Sequence, residues 1–516
     1  MTDLTRRQTL GWIAALTVMG GQSALAQEEL PERAGMTLSQ PVPFTPEMVK
    51  VRAKVLAGKP YMPAPSVPQE WIDISYDTFQ EIWFDTRHSL WRKTEGAAQL
   101  EFFPAGLYNP PVVTINAVED GSYRPVIFEL RTFDMTDRFP DLPEDGMGFS
   151  GFRVLGELEA KGLFQEYAVF QGASYFRAIA KGQAYGLSAR GLALGTGSVN
   201  GEEFPVFREF WVEAADPGSA TVTIHALMDS PSVAGAYTFK ISKGEVTEME
   251  VACTLYPRVD LTEVGIAPET SMFLFDQTNR NHFDDFRDAV HDSDGLLMLT
   301  GAGETIWRPL SNPSALGFSV FSDASPRGFG LMQRAREMTD FADLVAHYER
   351  RPSLWVEPIG DWGVGSVMLV EIPADKEIYD NIVSFWRPAE PLAAGKEHMF
   401  QYRLHWCADA PVEGNVARVR NTRTGARIFE EGRLFTIDFE AHPALGSDAD
   451  QIEVVVGTSV GEITSKIIRA NPATGGMRVD FTLLADEGSV SEMRAELFRN
   501  GARISEVWLY RWVDAA

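Results

Sequence analysis

The 516-residue sequence carries 72 acidic and 46 basic side chains, and its formal net charge of −26 would repel a nucleic-acid backbone. With 45% hydrophobic and 23% charged residues the composition is that of a globular protein, and the length predicts two or more domains. The two cysteines, Cys253 and Cys407, are too few for a disulfide-stapled fold and offer no metal-ligand spacing. We expect two packed thiols, and a disulfide between them is the alternative.

Residues 1–26 have the pattern of an export signal. Arg6 and Arg7 precede an uncharged stretch that closes on the small-residue sequence Ala24, Leu25, Ala26. Paired arginines are typical of a twin-arginine signal, and a Sec signal that contains two arginines is the alternative. The apolar stretch is too short for a stable membrane span, and no later run reaches the ~20 apolar residues of a span. The sequence therefore predicts a mature periplasmic protein without a membrane span.

The first predicted element after the signal is a helix over 45–57. Thr45 supplies an N-cap hydroxyl, Pro46 suits the first helical position, and Glu47 lies at the positive end of the helix dipole. Further on, polar and apolar residues alternate, as is typical of half-buried strands. The predicted strands cover 112–118, 126–130, 221–226, 237–241, 247–256, 328–333, 367–371 and 381–386.

One helix is predicted among the later strands. Phe341, Leu344, Val345 and Tyr348 recur at i, i+3, i+4 and i+7, and Thr339 stands where an N-cap is expected. This spacing predicts a helix with one apolar face that ends in the hydroxyl of Tyr348.

A stretch rich in proline, alanine and glycine at 388–396 predicts a linker. Alternating apolar residues after it indicate a small immunoglobulin-like sandwich over 397–516. Their three strand faces carry Phe400, Tyr402, Leu404 and Trp406, then Phe435, Ile437 and Phe439, then Ile452, Val454 and Val456. The predicted fold class is all-β, with a large N-terminal β-sandwich over 38–387 and this smaller sandwich behind the linker.

Several chemical signatures are missing from the sequence. The glycine-rich segment 301–304 lacks the Lys and Ser/Thr pair of a phosphate loop, and there is no dinucleotide fingerprint, no HExxH and no Gly-x-Ser-x-Gly. Carboxylates and aromatic residues remain, and this combination is typical of proteins that act on carbohydrates.

The densest polar cluster lies at 279–295. It contains His282, Asp284, Asp285, His291, Asp292 and Asp294. Three interpretations stay open: a fragment of a calcium loop that lacks the distal Glu, a solvated loop whose acids cap turns, or a segment with one catalytic base.

A second cluster occupies 351–358 and 379–386. Its tryptophans, Trp355 and Trp386, have the ring faces that stack on sugars, although buried core tryptophans are commoner in a sandwich. Asp380 precedes an apolar strand, where apolar surroundings would raise its pKa and favour the protonated form that a general acid needs. The alternative is an aspartate that caps a turn.

Long motifs in a fixed order extend over nearly the whole mature chain. They are 148–153 (GFSGFR), 172–178 (GASYFRA), 185–193 (YGLSARGLA), 203–205 (EFP), 291–296 (HDSDGL), 307–310 (WRPL), 351–358 (RPSLWVEP) and 380–383 (DNIV). In these motifs the sequence resembles the periplasmic proteins of osmoregulated-glucan biosynthesis, OpgG and OpgD, also called MdoG and MdoD. The paired arginines of the signal look more like the OpgD branch.

The resemblance implies a galactose-mutarotase-like sandwich joined to an immunoglobulin-like domain. It also implies action on β-1,2-glucan, either as an anomer-inverting endo-hydrolase or by transfer that forms α-1,6-cyclised glucan. The family's general acid falls on Asp380, its general base on Asp292, and a tyrosine that lines its substrate cleft on Tyr348. Further residues that would line the cleft are Arg351, Trp355, Glu357, Tyr175, Arg177, Tyr185, Arg190 and Trp307.

An inverting enzyme needs one carboxylic acid that protonates the leaving oxygen and one carboxylate that activates water. Such a pair needs neither a metal nor an organic cofactor. The partner expected besides the glucan is the inner-membrane glucan synthase. The alternative function is a non-catalytic scaffold that binds nascent glucan and guides it away from that synthase; the sequence predicts no oligomeric state.

Overall fold

The computed structural model describes residues 35–92, 98–134, 141–216, 219–412 and 414–513. The predicted signal at 1–26 lies outside the described residues. The α-helices of the described part are α1 (Pro46–Ala57), α2 (Gln69–Ile72), α3 (Tyr76–Gln80) and α4 (Met338–Phe341). Within these ranges, no helix has the length and apolar character that crossing a membrane requires.

Strands make up most of the remaining described structure. In the first part of the chain they are β1 (Val42–Pro43), β2 (Gln99–Pro104), β3 (Thr114–Glu119), β4 (Ser122–Pro125), β5 (Phe149–Glu157), β6 (Phe164–Gln171), β7 (Tyr175–Ala178), β8 (Ser188–Arg190), β9 (Ala193–Leu194), β10 (Val206–Glu213), β11 (Thr221–Asp229), β12 (Val233–Ser242), β13 (Thr247–Pro257) and β14 (Val264–Ser271). The predicted all-β class is confirmed.

The later strands continue the same pattern. They are β15 (Phe273–Phe275), β16 (Val290–His291), β17 (Gly295–Leu299), β18 (Thr305–Pro309), β19 (Gly317–Ala324), β20 (Gly328–Met332), β21 (Ser353–Ile359), β22 (Val364–Glu371), β23 (Ile382–Pro388), β24 (His398–Cys407), β25 (Val419–Ala426), β26 (Arg433–Phe439), β27 (Glu453–Thr458), β28 (Glu462–Asn471), β29 (Gly476–Leu484), β30 (Val490–Arg499), β31 (Ala502–Arg503) and β32 (Val507–Val513). Single 3₁₀ turns occur at Thr86–His88, Leu130–Thr132, Arg280–His282, Tyr348–Arg350, Pro443–Leu445 and Ala449–Gln451.

The chain forms two compact units. Unit 1 comprises the described residues up to Glu269 with Pro358–Trp362 and Phe385–Cys407, and unit 2 comprises Thr270–Glu357, Gly363–Ser384 and the described residues from Ala408 onward. This division differs from the predicted linker at 388–396. Strand β24, which was expected to open the C-terminal domain, pairs with β13 and belongs to unit 1.

Unit 1 contains two sheets packed face to face. One runs in the order β1, β4, β3, β10, β11, β12, β13, β24, and the other runs β14, β8, β7, β6, β5, β2. Phenylalanines join them: the ring of Phe152 lies 5.1 Å from Phe210, and Phe170 lies 5.2 Å from Phe239. Alternation along β12 explains this core, because Phe239 is buried while its neighbour Lys240 is exposed.

Unit 2 contains the sheet β21, β20, β17, β18, β32, β30, β27, the sheet β25, β26, β29, β28, and the antiparallel pairs β19 with β22 and β15 with β16. Aromatic side chains of the second sheet pack on those of the first. Phe481 of β29 lies 5.9 Å from Trp508 of β32, and Phe435 of β26 lies 5.9 Å from Tyr510 of β32.

The helix α1 covers the predicted segment, with Thr45 in extended conformation before Pro46, but the Thr45 hydroxyl makes no capping hydrogen bond, contrary to the prediction. The strand predicted over 126–130 is wrong, because β4 ends at Pro125 and a 3₁₀ turn follows at Leu130–Thr132. Both cysteines are free and buried, as expected, and burial raises the pKa of Cys253 to about 12.

The helix predicted through Phe341 and Tyr348 is also wrong. Helix α4 ends at Phe341, because Ala342 and His347 adopt left-handed conformations with φ of 57° and 48°. Phe341 and Tyr348 are buried as their spacing predicts, but Leu344 is 70% exposed and Val345 75% exposed. The N-cap is Glu337, in a capping box with Asp340, in place of Thr339.

Candidate functional site

The two segments that carry the predicted catalytic acids both contact one strand residue, Phe273. Phe273 pairs with His291 in the β15–β16 ladder, and Asp292 follows directly. The amide of Asn381 holds the other side: its Oδ1 accepts from the Phe273 N–H at 2.8 Å, and its Nδ2 donates to the Phe273 carbonyl at 2.9 Å. Asp380 directly precedes Asn381. The structure thus brings Asp292 and Asp380, which are 88 positions apart in the sequence, into one region of unit 2.

Asp292 is buried, and both its backbone N–H and its carboxylate are hydrogen-bonded. Its N–H donates to the Met272 carbonyl at 2.8 Å, and the residue is 3% exposed. Arg351 donates from Nη1 to the Asp292 carboxylate and forms an ion pair with it. Burial is the largest effect and opposes the charge on Arg351, but the effects of Asp292, Tyr348 and Glu377 together outweigh it and raise the pKa of Arg351 above its ordinary value.

Tyr348 completes this side of the site. The Arg351 guanidinium lies over its ring, 4.3 Å from the centroid, and burial raises the pKa of the Tyr348 phenol, so the hydroxyl stays protonated at neutral pH. The Gln333 amide donates to the carbonyls of His291 at 3.0 Å and Tyr348 at 3.3 Å. Gln333 therefore links the segment that carries Asp292 to the segment that carries Tyr348.

Arg287 joins three loops of the site. It donates to Asp285 at 2.8 Å and to Asp343 at 3.0 Å, and it forms an ion pair with Glu377 at 2.5 Å. These acids lie in the loop after β15, the turn before Tyr348 and the segment that leads to Asp380. Hydrogen bonds to Asp285 are the main cause of the strongly raised pKa of Arg287.

The acids of 279–295 divide between the interpretations that the sequence leaves open. Asp285 accepts from the Arg287 N–H at 2.9 Å and caps a local turn, whereas Asp294 accepts from the Arg334 N–H at 2.9 Å and so binds the segment that follows β20. Asp292 alone among them contacts Arg351. The described ranges contain no group of three or more His, Cys, Asp and Glu side chains that could hold a metal ion.

His291, beside the predicted base, is a buried aromatic side chain. Its ring stacks on Phe273 at 5.4 Å and meets Phe341 edge-on at 5.0 Å. Burial lowers its pKa to about 3, so the ring is neutral over the whole physiological range.

Trp307 and Trp355, two residues predicted to line the cleft, are buried, and their part in glucan binding stays a prediction. They are 3% and 1% exposed and belong to the hydrophobic core of unit 2. A Cβ atom at Gly295 would overlap Trp307, and one at Gly328 would overlap Trp355, so these glycines leave the space that the rings fill. Glu357 is half-buried near the end of β21.

The other predicted binding residues lie in unit 1. Arg190 forms a buried ion pair with Glu202 at 2.8 Å, and its guanidinium lies 5.3 Å from the centroid of the Tyr175 ring. Arg177 is 5% exposed, and burial raises the pKa of Tyr185 well above its ordinary value. The structure thus groups Tyr175 with Arg190 in unit 1, and Asp292, Tyr348, Arg351 and Asp380 in unit 2.

Sequence analysis did not identify Arg287, Gln333, Asn381 or Phe273. Asn381 is part of the motif at 380–383, which was a signal for it. Arg287 and Gln333 lack such a signal, because their partners are distant in the sequence. Gln333 bonds to His291, 42 positions away, and Arg287 pairs with Glu377, 90 positions away.

Comparison with known proteins gives the family. Residues 44–512 match the family model described as "Periplasmic glucan biosynthesis protein, MdoG". A "Glucans biosynthesis protein G" of Rhodopseudomonas palustris is 45% identical over 99% of this chain and 100% of its own length. Proteins of the same name from Bradyrhizobium diazoefficiens and Vibrio cholerae are 43% and 45% identical over 96% and 91% of this chain, and over 98% and 87% of their own lengths. The chain therefore belongs to the MdoG family of periplasmic glucan biosynthesis proteins.

Proposed function

We propose that this protein acts on β-1,2-glucan in the periplasm as an anomer-inverting endo-hydrolase or transglycosylase. Asp380 is the general acid in this proposal and Asp292 is the general base. The observation that supports it most strongly is that the segments carrying the two buried acids both contact Phe273, which forms a ladder pair with His291 and hydrogen bonds with Asn381. Membership of a glucan biosynthesis family supports a glucan as the substrate.

The surroundings of Asp292 suit a base. The guanidinium of Arg351 favours the ionised carboxylate, which is the form that accepts a proton from water. The Tyr348 ring packs against Arg351, and its neutral hydroxyl is a group that can donate to that water or accept from it.

Asp380 has the opposite requirement, because a general acid must carry its proton when the substrate binds. It is 7% exposed, and buried Ile382 and Val383 follow it. Burial disfavours a charged carboxylate, so the apolar start of β23 supports the protonated form.

Hydrolysis and transfer share these two roles and differ in the acceptor. If water reaches the anomeric carbon, the chain is cut; if a sugar hydroxyl of the same chain reaches it, a cyclised glucan forms. The inner-membrane glucan synthase is the proposed source of the chain.

Product masses test this function. Purified mature protein is incubated with linear β-1,2-glucan, alongside Asp292→Asn, Asp380→Asn and the control Asp284→Asn, which changes an exposed acid of the same segment. We expect the wild type and the control to give shortened linear chains for hydrolysis. For cyclising transfer they should give products lighter by one water than linear chains with the same number of glucose units. Neither catalytic variant should give either product. If the glucan binds and no product forms, the non-catalytic glucan-guiding function replaces this proposal.

A further inference from the structure

Unit 2 contains a pocket built from residues other than those around the acid pair. Its volume is about 250 Å³. Residues at 278–282 and 311–314, Ala374, Arg433 and the end of β32 line it. Roughly eight molecules of liquid water occupy the same volume, and one hexose ring fits into it.

One part of the lining, here called the aromatic wall, is formed by Trp512, which packs against Phe435 and Arg433. Trp512 is half-buried, and its ring packs against Phe435 at 5.7 Å. The Arg433 guanidinium lies 4.5 Å from the Trp512 ring centroid, and its Nε donates to the Thr424 hydroxyl at 2.9 Å. The indole and the guanidinium are held in contact with each other, so this part of the lining needs no further ordering when a ligand enters.

The rest of the lining, here called the polar wall, consists largely of polar residues. It contains Asn279, Ser314 and His282, and no Asp or Glu lines the pocket within the described residues. His282 and Ser314 are exposed side chains of this lining. A neutral hydroxyl-rich ligand matches this wall, because each sugar hydroxyl both donates and accepts.

We propose that this pocket binds one glucosyl unit of the glucan, at a second site apart from the acid pair. The inference rests on the proposed function for the identity of the sugar. The aromatic wall faces the apolar side of the ring, and the polar wall binds its hydroxyl edge.

Asn312 connects this pocket to the segments that hold the acids. Its Nδ2 donates to the carbonyls of Leu274 at 3.1 Å and Ala374 at 2.8 Å, and its Oδ1 accepts from the Ala374 N–H at 2.9 Å. Leu274 follows Phe273, and Ala374 lies in the segment that leads to Asp380. A glucan held in the pocket therefore contacts loops that also support the acid pair.

The indole N–H resonance of Trp512 tests the proposal directly. The resonance is assigned with Trp512→Phe, and the full mature chain carries Asp292→Asn so that no substrate is consumed. A β-1,2-linked glucose disaccharide is titrated in one series and inorganic phosphate in another. We expect a saturable shift of the Trp512 resonance with the disaccharide and none with phosphate.

A steric variant serves as the second measurement. Ser314→Trp fills the pocket from an exposed position, and Ala315→Trp is the matched control because Ala315 is exposed and does not line the pocket. Loss of one aromatic contact and its hydrogen bonds predicts disaccharide binding at Trp512 that is roughly five- to tenfold weaker in Ser314→Trp and unchanged in Ala315→Trp.

Other outcomes separate this inference from the proposed function. A shift with phosphate alone would make the pocket an anion site and overturn the inference. A Trp512 resonance that stays fixed while the wild type still cuts glucan overturns the inference and leaves the proposed function intact. A sugar-responsive Trp512 in a protein that forms no product supports the pocket and contradicts the catalytic proposal.

Discussion

At the scale of single residues, Arg351 supplies a positive charge next to the carboxylate of Asp292. Its guanidinium pairs with the carboxylate and also lies over the Tyr348 ring at 4.3 Å. The sequence motif at 351–358 identified Arg351 as a cleft residue, but it did not show this partner. An ion pair depends on two segments meeting in space, and spacing along the chain contains no such information.

Arg351→Gln tests the role of this charge. Without the guanidinium the pKa of Asp292 rises, because the carboxylate loses a neighbouring positive charge that favours its ionised form. The base must be ionised, so we expect the acidic limb of the kcat/KM profile to move to higher pH. Arg351→Lys keeps a positive charge and should leave the limb closer to that of the wild type; identical limbs in all three proteins would contradict the assignment.

His291 makes the stability of the fold depend on pH. Its pKa is about 3 in the folded protein and 6.5 for an unperturbed histidine, so below pH 6.5 the unfolded chain binds a proton that the folded chain excludes. The free energy of unfolding therefore falls as the pH drops from 6.5 towards 3, by about 2 kcal/mol at pH 5. Urea unfolding of wild type and His291→Phe at pH 7 and pH 5 measures this, and the variant should lack that share of the loss.

At the scale of elements, period-two alternation predicted strands well and helical spacing failed once. The residues of α1 and most predicted strands satisfy local rules that the surrounding fold leaves unchanged. The segment after α4 has helical spacing, yet Asp343 accepts from the Val345 and Ala346 N–H groups at 2.8 Å each and forms a turn in place of a helix. A side chain that competes for backbone N–H groups is invisible to a count of apolar positions.

Strand glycines give a prediction at this scale. A methyl group at Gly328 of β20 would overlap the Trp355 ring, whereas Gly457 of β27 has open space around its Cα. We expect Gly328→Ala to lower the free energy of unfolding by about 1–3 kcal/mol through overpacking, and Gly457→Ala to lower it far less. Urea denaturation of both variants checks this, and equal effects would contradict the packing of Trp355 in the core.

At the scale of the whole molecule, sequence predicted the all-β class and the family but not the division of the chain. Strand β24 pairs with β13, from Thr247 with Trp406 to Leu255 with His398, across about 150 positions. A proline-rich stretch at 388–396 marks a loop and does not show which unit the next strand joins. Likewise the acids Asp292 and Asp380 were predicted through resemblance, and their shared support, Phe273, came only from the structure.

The export route is a property of the whole protein, and the sequence predicts the twin-arginine route for it. Replacing Arg6 and Arg7 by lysines should block periplasmic delivery if the signal at 1–26 is of the twin-arginine type, because that pathway reads the arginine pair. A Sec signal needs only positive charge ahead of its apolar stretch and would be unaffected. Cell fractionation of both forms separates the two, with retained export pointing to Sec.

The configuration of the first product tests the central claim most directly. An inverting enzyme releases the α-anomer from a β-linked chain, because water attacks the face opposite the leaving oxygen. Proton NMR during the first minutes of β-1,2-glucan cleavage should show the α-anomeric signal rising first, and no signal with Asp292→Asn or Asp380→Asn. A β-anomer appearing first, or unchanged cleavage by either variant, would contradict the account of Asp380 as acid and Asp292 as base.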